Sequence, residues 1–291
     1  MKNKNTHLIS VIMNCKNGEK FLHKSIQSVL DQSYEKWELI FWDNKSIDKS
    51  RDIILSFKDK RIKYFKAKKL TTLYYARNLA IKKAKGKFIT FLDVDDWWCK
   101  NKLETQIYFF KKNPNTDVLY SNIFIFNQKN NTYEVLSKNI LQSGKITQNL
   151  IDDSRMSILS VILKREIFKK IKFDKRYTII GDLDFFVRLS LIKRIGALQQ
   201  SLAYYRVHDT NLTSKKINLH IKELKNWSKE QEKKKTLSLY NFSRVYKLIN
   251  ILKVKSKITR GKKLIILKEI FMKPFYTLRF LFLLFKFRYE K

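Results

Sequence analysis

Lys87-Phe88-Ile89-Thr90-Phe91-Leu92-Asp93-Val94-Asp95-Asp96-Trp97-Trp98 is a short apolar run that ends in three carboxylates within four positions. A run of this length, bounded by charge, reads as a buried strand. Packing gains nothing from like charges crowded at a strand tip, because their repulsion costs free energy. A divalent cation removes that cost, and a cation held by a few carboxylates commonly also holds a substrate phosphate. Residues two apart on an extended chain point to the same side. Asp93 and Asp95 therefore face one ligand while Val94 turns into the body. Asp96 reads either as a support behind them or as the N-cap of the next turn. The bland alternative is a solvated acidic turn, and Trp97 and Trp98 directly after it argue against that.

Upstream, residues 8–13 read as a buried strand that ends in a polar turn over 14–18. Phe21, Leu22, Ile26, Val29 and Leu30 have helical spacing. A second strand is expected over 37–42, stopped by Asp43-Asn44-Lys45-Ser46, with Ser46 as cap of a helix over 48–57. A third strand covers 62–65. Thr71 or Thr72 opens a helix with Leu73, Ala76, Leu79, Ala80 and Ala84 on one face, and Gly86 ends it. Three strand–helix alternations argue for an open α/β sheet. In such sheets ligands sit beyond the carboxyl ends of the strands. The polar groups over 14–19, 43–46 and 93–96 are therefore expected to converge on one cleft.

Downstream, a helix is expected over 100–112, a hairpin from 118–126 and 132–136, and a strand over 157–163. Gly181-Asp182-Leu183-Asp184 opens an amphipathic helix through Phe185, Phe186, Leu189 and Ile192. Residues 197–207 are extended, and the pattern from Lys215 onward is helical and basic. The composition shift near Thr213 divides the chain into a body over 1–213 and an appendage over 214–291.

The net charge of +36 points to a surface that meets polyanions, or else to a coding bias toward Lys. It is uneven. From Lys215 on, 22 Lys and Arg face 5 Asp and Glu, so the appendage is far more basic than the body. Cys15 and Cys99 give no disulfide framework and suit a reducing compartment. No secretory leader is legible, and no run approaches the ~18 apolar residues of a spanning helix.

Several pieces follow one another in a telling order. They are Ser10 to Gly18, Ile26 to Tyr34, Asp43-Asn44-Lys45-Ser46-Ile47-Asp48, Ala76-Arg77-Asn78 with Gly86, the segment Leu92 to Asp96, Gly181-Asp182-Leu183-Asp184, and Tyr205-Arg206-Val207-His208. Together they resemble an inverting family 2 glycosyltransferase of the GT-A fold, over about residues 8–213. The resemblance implies an α/β nucleotide-diphospho-sugar transferase fold, a Rossmann-like mixed sheet flanked by helices, with a basic helical appendage. It makes Asp93 and Asp95 the DxD motif. Asp95 would ligate Mn²⁺ or Mg²⁺ bound to the donor diphosphate, Asp93 would meet the ribose or share the metal, and His208 would come to the metal or diphosphate. Asp43 would accept the uracil N3–H of a UDP-sugar, although the usual second acid is Asn44 here. Asn14, Glu19, Arg77 and Asn78 would help hold the nucleotide. Asp182 would be the catalytic base, in a position where the family commonly shows Glu-Asp and this chain has Gly181-Asp182, and Asp184 would orient the acceptor.

The residues alone leave alternatives open. Asp43 also suits a turn, Glu19 a helix first turn, Arg77 a surface ion pair, and His208 plain surface. Asp182 also suits a helix cap, and Asp184 is its rival as base. The implied partners are a nucleotide-sugar donor and a saccharide or lipid-linked saccharide acceptor, in bacterial surface polysaccharide or lipopolysaccharide assembly. The expected place is the cytoplasm, at the inner face of the membrane. Residues 261–291 mix Leu, Ile and Phe with Lys and Arg, which suits a helix on an anionic membrane or a helix pair packed on protein. A nucleic-acid-binding protein would interleave exposed aromatics with its cations, whereas here the aromatics follow apolar faces. A sugar nucleotidylyltransferase would carry a Gly-rich loop after the first strand. A catalytically silent family member would read the same as an active one.

Overall fold

The computed structural model describes residues 7–259. They fall into two compact units that divide between His208 and Asp209. The first unit runs β1 (Ile9–Cys15), α1 (Glu19–Leu30), β2 (Trp37–Asp43), α2 (Ser50–Ser56), β3 (Ile62–Lys66), α3 (Leu73–Ile81), β4 (Phe88–Phe91), β5 (Trp97–Trp98) and α4 (Lys102–Lys112). It continues with β6 (Val118–Asn127), β7 (Thr132–Val135), α5 (Thr147–Asp152), β8 (Ile162–Lys164), α6 (Ile167–Lys170), α7 (Gly181–Ser190) and β9 (Ile195–Val207).

The sheet has nine strands in the order β3-β2-β1-β4-β8-β6-β9-β5, with β7 paired to β6. The expected α/β architecture with a mixed sheet is present. β3, β2, β1 and β4 are mutually parallel. β8 runs antiparallel to both β4 and β6, so β6 and its parallel neighbour β9 share the direction of β4. The carboxyl ends of β1, β2, β4 and β9 therefore lie along one edge, and that edge positions the site.

The core strands are apolar on both faces. All seven residues of β1 and all seven of β2 are buried. Each fully buried Ile, Phe or Met there contributes about 1.5–3 kcal/mol of transfer free energy, which is why the strands read as near-continuous hydrophobic runs. In α1, Leu22, Ile26 and Val29 form the inward stripe, and the small Ser25 and Ser28 let the helix lie close to the sheet. Thr72 caps α3 by accepting from the Tyr75 amide. The buried face of α3 is Tyr74, Ala76, Arg77, Ala80 and Ile81, so it is rotated from the expected stripe and carries a charged residue inward.

Two local expectations fail for stated reasons. Ser46 caps no helix. Its amide donates to Asp43 Oδ1 and its hydroxyl accepts from the Asn17 amide, so α2 starts only at Ser50. The strand expected over 157–163 is a 3-10 turn, Ile158–Ser160, followed by the short β8. There the Ser160 amide and hydroxyl both donate to the Ser157 carbonyl, a local alternative to strand pairing.

Beyond His208 the second unit holds α8 (Leu212–Lys215), α9 (Ile217–Glu232) and α10 (Ser243–Thr259). Trp227 of α9 packs edge-on to Phe242, with ring centroids 5.7 Å apart. No described helix is long and apolar enough to cross a membrane. The amphipathic tail expected over 261–291 lies outside the described residues.

Gly86 is more than a helix stop. A Cβ there would lie 2.6 Å from the Ser10 amide nitrogen and 2.8 Å from the Leu8 carbonyl oxygen. The space is taken by a buried network. The Gly86 amide donates to Ser10 Oγ, Ser10 Oγ donates to Glu38 Oε1, and the Lys85 amide donates to the same carboxylate. Gly86→Ala should therefore lower the unfolding free energy by about 1–3 kcal/mol, the cost of forcing atoms into a packed interior. Urea unfolding followed by circular dichroism checks this, and an unchanged midpoint contradicts the packing argument.

Candidate functional site

Three loops meet at the carboxyl edge of the sheet. The loop after β1 and the loop after β2 are joined along their length. The Asn44 amide donates to the Cys15 carbonyl, the Gly18 amide to Ser50 Oγ, and the Glu19 amide to Asp48 Oδ2. In return the Ile47 amide donates to Asn17 Oδ1 and the Lys49 amide to Glu19 Oε2. The loop after β4 closes on the same place. Ser25 Oγ of α1 donates to the Asp93 carbonyl at 3.1 Å, and Val94 packs against Gly18. The expected convergence of 14–19, 43–46 and 93–96 is thus present in the fold.

Within that frame the expected residues divide. Asn14 ends β1 buried, and neither its Nδ2 nor its Oδ1 has a partner. Buried polar atoms are almost always paired, so this amide is an open offer to a ligand. Asp43 is buried, with Oδ1 accepting from the Ser46 amide and Oδ2 from the Tyr64 hydroxyl at 2.8 Å. Burial, together with this carboxylate, pushes the Tyr64 phenol up to about 12. Asn44 clamps Thr71, its Nδ2 donating to the Thr71 carbonyl and its Oδ1 accepting from the Thr71 amide. Glu19, expected beside the nucleotide, is exposed and engaged with Lys49. Asn78 holds the Phe173 backbone through both its oxygen and its nitrogen.

Arg77 is the buried cation of the site, only 2% exposed. Its Nη2 donates to Asp93 Oδ1 at 2.8 Å, and its guanidinium lies 5.3–5.5 Å from the ring centroids of Tyr74, Phe91 and Phe173. Burial raises the Asp93 carboxyl above the usual range. Arg77 opposes that shift, and Asp95 and Asp182 add to it. Asp95 Oδ2 and His208 Nε2 are 3.0 Å apart. Asp96 is fully enclosed. Its Oδ1 accepts from the Arg206 amide at 2.8 Å, and the Arg206 side chain donates to the Asp95 carbonyl. Of its two readings, support from behind is the one the geometry gives. Burial, reinforced by Asp95 and Asp93, pushes the Asp96 carboxyl well up.

Asp182 stands in the first turn of α7, where Oδ1 accepts from the Leu183 amide at 2.9 Å and faces the Tyr74 hydroxyl at 3.2 Å. Burial pushes its carboxyl up while Arg77 pulls it down. Asp184, expected to orient an acceptor, is buried, and its Oδ2 accepts from both Nε and Nη2 of Arg188. Tyr205, unassigned by sequence, has its phenol pushed up by burial and by the charges of Asp96, Asp95, Asp93 and Asp182.

Among the described residues no three His, Cys, Asp or Glu side chains form a metal cluster. Of the expected trio, Asp95 and His208 meet while Asp93 turns to Arg77. Asp95 and His208 offer a hard oxygen and an imidazole nitrogen. That pair fits Mn²⁺ or Mg²⁺ with positions left for phosphate and water, and nitrogen favours Mn²⁺.

Residues 10–178 match the sequence model of the family described as Glycosyl transferase family 2. The chain is 36% identical over 224 residues to the Escherichia coli UDP-Glc:alpha-D-GlcNAc-diphosphoundecaprenol beta-1,3-glucosyltransferase WfgD, covering 75% of this chain and 83% of that one. Among solved structures it resembles S. aureus TarS 1-349 in complex with UDP-GlcNAc. The TM-score is 0.63 at 19% identity, over 81% of this chain and 69% of that one. It also resembles the Pyrobaculum calidifontis mannosyltransferase PcManGT in complex with GDP-Man and Mn²⁺. There the TM-score is 0.58 at 13% identity, over 80% of this chain and 66% of that one.

Proposed function

The chain belongs to glycosyl transferase family 2, and on that premise we propose that it transfers a sugar from a UDP-sugar to a hydroxyl of a lipid-linked saccharide, with inversion. The work would serve bacterial surface polysaccharide assembly at the inner face of the membrane. The observation that carries the reading is the grouping around Arg77, which holds Asp93 from the loop after β4 and also acts on Asp182 from the first turn of α7. A carboxylate suited to proton transfer is thereby set beside carboxylates suited to a diphosphate site. The relatives' printed activities, transfer from UDP-Glc to a GlcNAc-diphospholipid and binding of UDP-GlcNAc, support the donor and acceptor classes.

The chain's own residues divide the task. Asn14, with its unpartnered amide, and Asp43, at the end of β2, line the nucleotide end. Asp95 and His208 would hold the divalent cation, with Asp93 between them and Arg77. When bound, Mn²⁺ or Mg²⁺ supplies charge stabilisation to the diphosphate leaving group. An acceptor hydroxyl attacks poorly while it keeps its proton, so a positioned base must remove it as the new bond forms. Asp182 does this. Its burial makes it more basic than an exposed carboxylate, and Arg77 opposes that shift. One displacement from the face opposite the leaving group inverts the anomeric centre. Asp184, bound to Arg188, and Asn78, bound to Phe173, hold the frame of the site.

Asp182→Asn should lower kcat by roughly 10²–10⁴-fold, the usual worth of a general base, with UDP affinity within about two-fold of wild type. The assay is UDP release from UDP-glucose or UDP-N-acetylglucosamine with a GlcNAc-diphospholipid acceptor. Turnover near wild type rejects Asp182 as base, and no release by the wild-type chain from either donor favours a protein that only binds sugar nucleotides. Asp95→Ala should abolish the gain in UDP affinity that Mn²⁺ gives. Calorimetry with and without Mn²⁺ measures this, and a variant that keeps the gain removes Asp95 from the metal site.

A further inference from the structure

Asp182 is gripped by a tyrosine that no motif of the site includes. Tyr74 lies on α3, one turn before Arg77, and is 2% exposed. Its hydroxyl donates to the Ile179 carbonyl at 2.8 Å and faces Asp182 Oδ1 at 3.2 Å, so one proton is shared between the chain entering α7 and the carboxylate in its first turn. The ring has two close neighbours. It stacks on Phe173 with centroids 5.6 Å apart and lies 5.3 Å from the Arg77 guanidinium.

Gly181 completes the arrangement. A Cβ at this position would fall 2.4 Å from Tyr74 Cδ2, 2.5 Å from Cε2 and 2.6 Å from Cγ. Real Cβ atoms never approach a ring so closely. Backbone conformation does not explain this glycine, because its φ is not in the left-handed region; among the described glycines only Gly144 has a positive φ. Space alone demands it, and the space belongs to Tyr74.

We propose that Tyr74 is the positioning residue for Asp182 and that Gly181 is glycine to admit the Tyr74 ring. The proposal rests on Asp182 being the base. The Leu183 amide and the Tyr74 hydroxyl both donate to Oδ1. Oδ1 is then the anchored oxygen, and Oδ2 is the one that takes the acceptor's proton. The anchoring matters because a carboxylate turned by tens of degrees no longer meets the hydroxyl proton in line.

The charged and titratable groups around Asp182 are Tyr74 and Arg77 from α3, Asp93 from the loop after β4, and Tyr205 from β9. Arg77 and the Tyr74 hydroxyl favour the ionised carboxylate, and Asp93 disfavours it. Removing the hydroxyl takes away a donor to the anion, so the proton affinity of Asp182 rises. The base must be ionised to act, and activity is therefore lost at a higher pH as the solution is acidified.

The test uses the full chain with Mn²⁺, UDP-glucose or UDP-N-acetylglucosamine and a GlcNAc-diphospholipid acceptor. Tyr74→Phe, which keeps the ring, should lower kcat about ten-fold, as expected for one shared hydrogen bond to a charged group. Donor KM should stay unchanged, and the acid limb of the pH–kcat profile should move to higher pH. Wild-type kcat together with a wild-type acid limb overturns the proposal, and so does a lower kcat with an unmoved limb, which would mean a merely structural tyrosine. Asp182→Asn run alongside separates this from failure of the underlying reading, since an active Asp182→Asn rejects the base itself. Gly181→Ala should cost much more activity and thermal stability in the wild type than in a Tyr74→Ala background. Equal costs in the two backgrounds overturn the role given to the glycine.

Discussion

A guanidinium buried at the end of the sheet sets the terms for the rest of the cleft. Arg77 has aromatic rings where water would otherwise be, and its charge must be met by anions of the protein. Two unit charges about 4 Å apart attract by about 4 kcal/mol at an effective dielectric of ~20. Desolvating them costs a comparable amount, so Arg77 and Asp93 add little net stability. What the pair fixes is arrangement. Arg77 comes from α3, Asp93 from the loop after β4 and Asp182 from α7, and the same cation pulls both carboxyl groups down against the effect of burial. The loop after β4 and the first turn of α7 are thereby tied to one helix.

The loops after β1 and β2 are held by a different device, a hydrogen-bonded seam between them. Asn17 and Lys45 sit in this seam with φ of 56° and 67°, a conformation that costs L-residues roughly 1–2 kcal/mol each. Such strain persists where surrounding contacts over-determine it. Here Asn17 Oδ1 accepts from the Ile47 amide, the Asn17 amide donates to Ser46, and Lys16 Nζ donates to the Lys45 carbonyl. The polar residues between Asn14 and Ser50 are consumed in building a rigid rim. Asn14 differs from them in that both polar atoms of its buried amide are without a partner, as are the indole nitrogens of Trp37 and Trp42 on β2.

The parallel half of the sheet was legible because its strands are apolar on both faces and the helices between them are amphipathic. The convergence of the three loops followed from topology alone. The antiparallel half was harder to read. β5 is only two residues, and β8 is shortened by a turn that Ser160 makes with Ser157, a local hydrogen bond that periodicity does not carry. Among candidate site residues, Asp95 and Asp182 stood out as charges after a strand and at a helix start, whereas Arg77, within α3, was singled out only by the family resemblance. Tyr74 was not singled out, because an aromatic residue on a helix reads as core until its hydroxyl is seen against a carboxylate. Asp184 and Asn78 carried the opposite ambiguity. Both looked like ligand groups, and in the fold Arg188 and the Phe173 backbone engage them.

The basic character of the chain and the acidic character of its cleft are not in conflict. Exposed lysines set the field at long range, and a net charge of +36 favours the approach of anions in general. Solvent and salt screen that field over about 10 Å, so it does not decide what happens inside the site. There the carboxylates crowd one another, and Asp93 and Asp96 are both shifted up by burial and by their neighbours. Asp182 is shifted up by burial as well, but more groups oppose that shift. Burial raises its proton affinity, while Arg77, the Leu183 amide and the Tyr74 hydroxyl lower it. On the proposed reading of Asp182 as the base, these opposed influences fall on the one carboxylate that has to take the acceptor's proton.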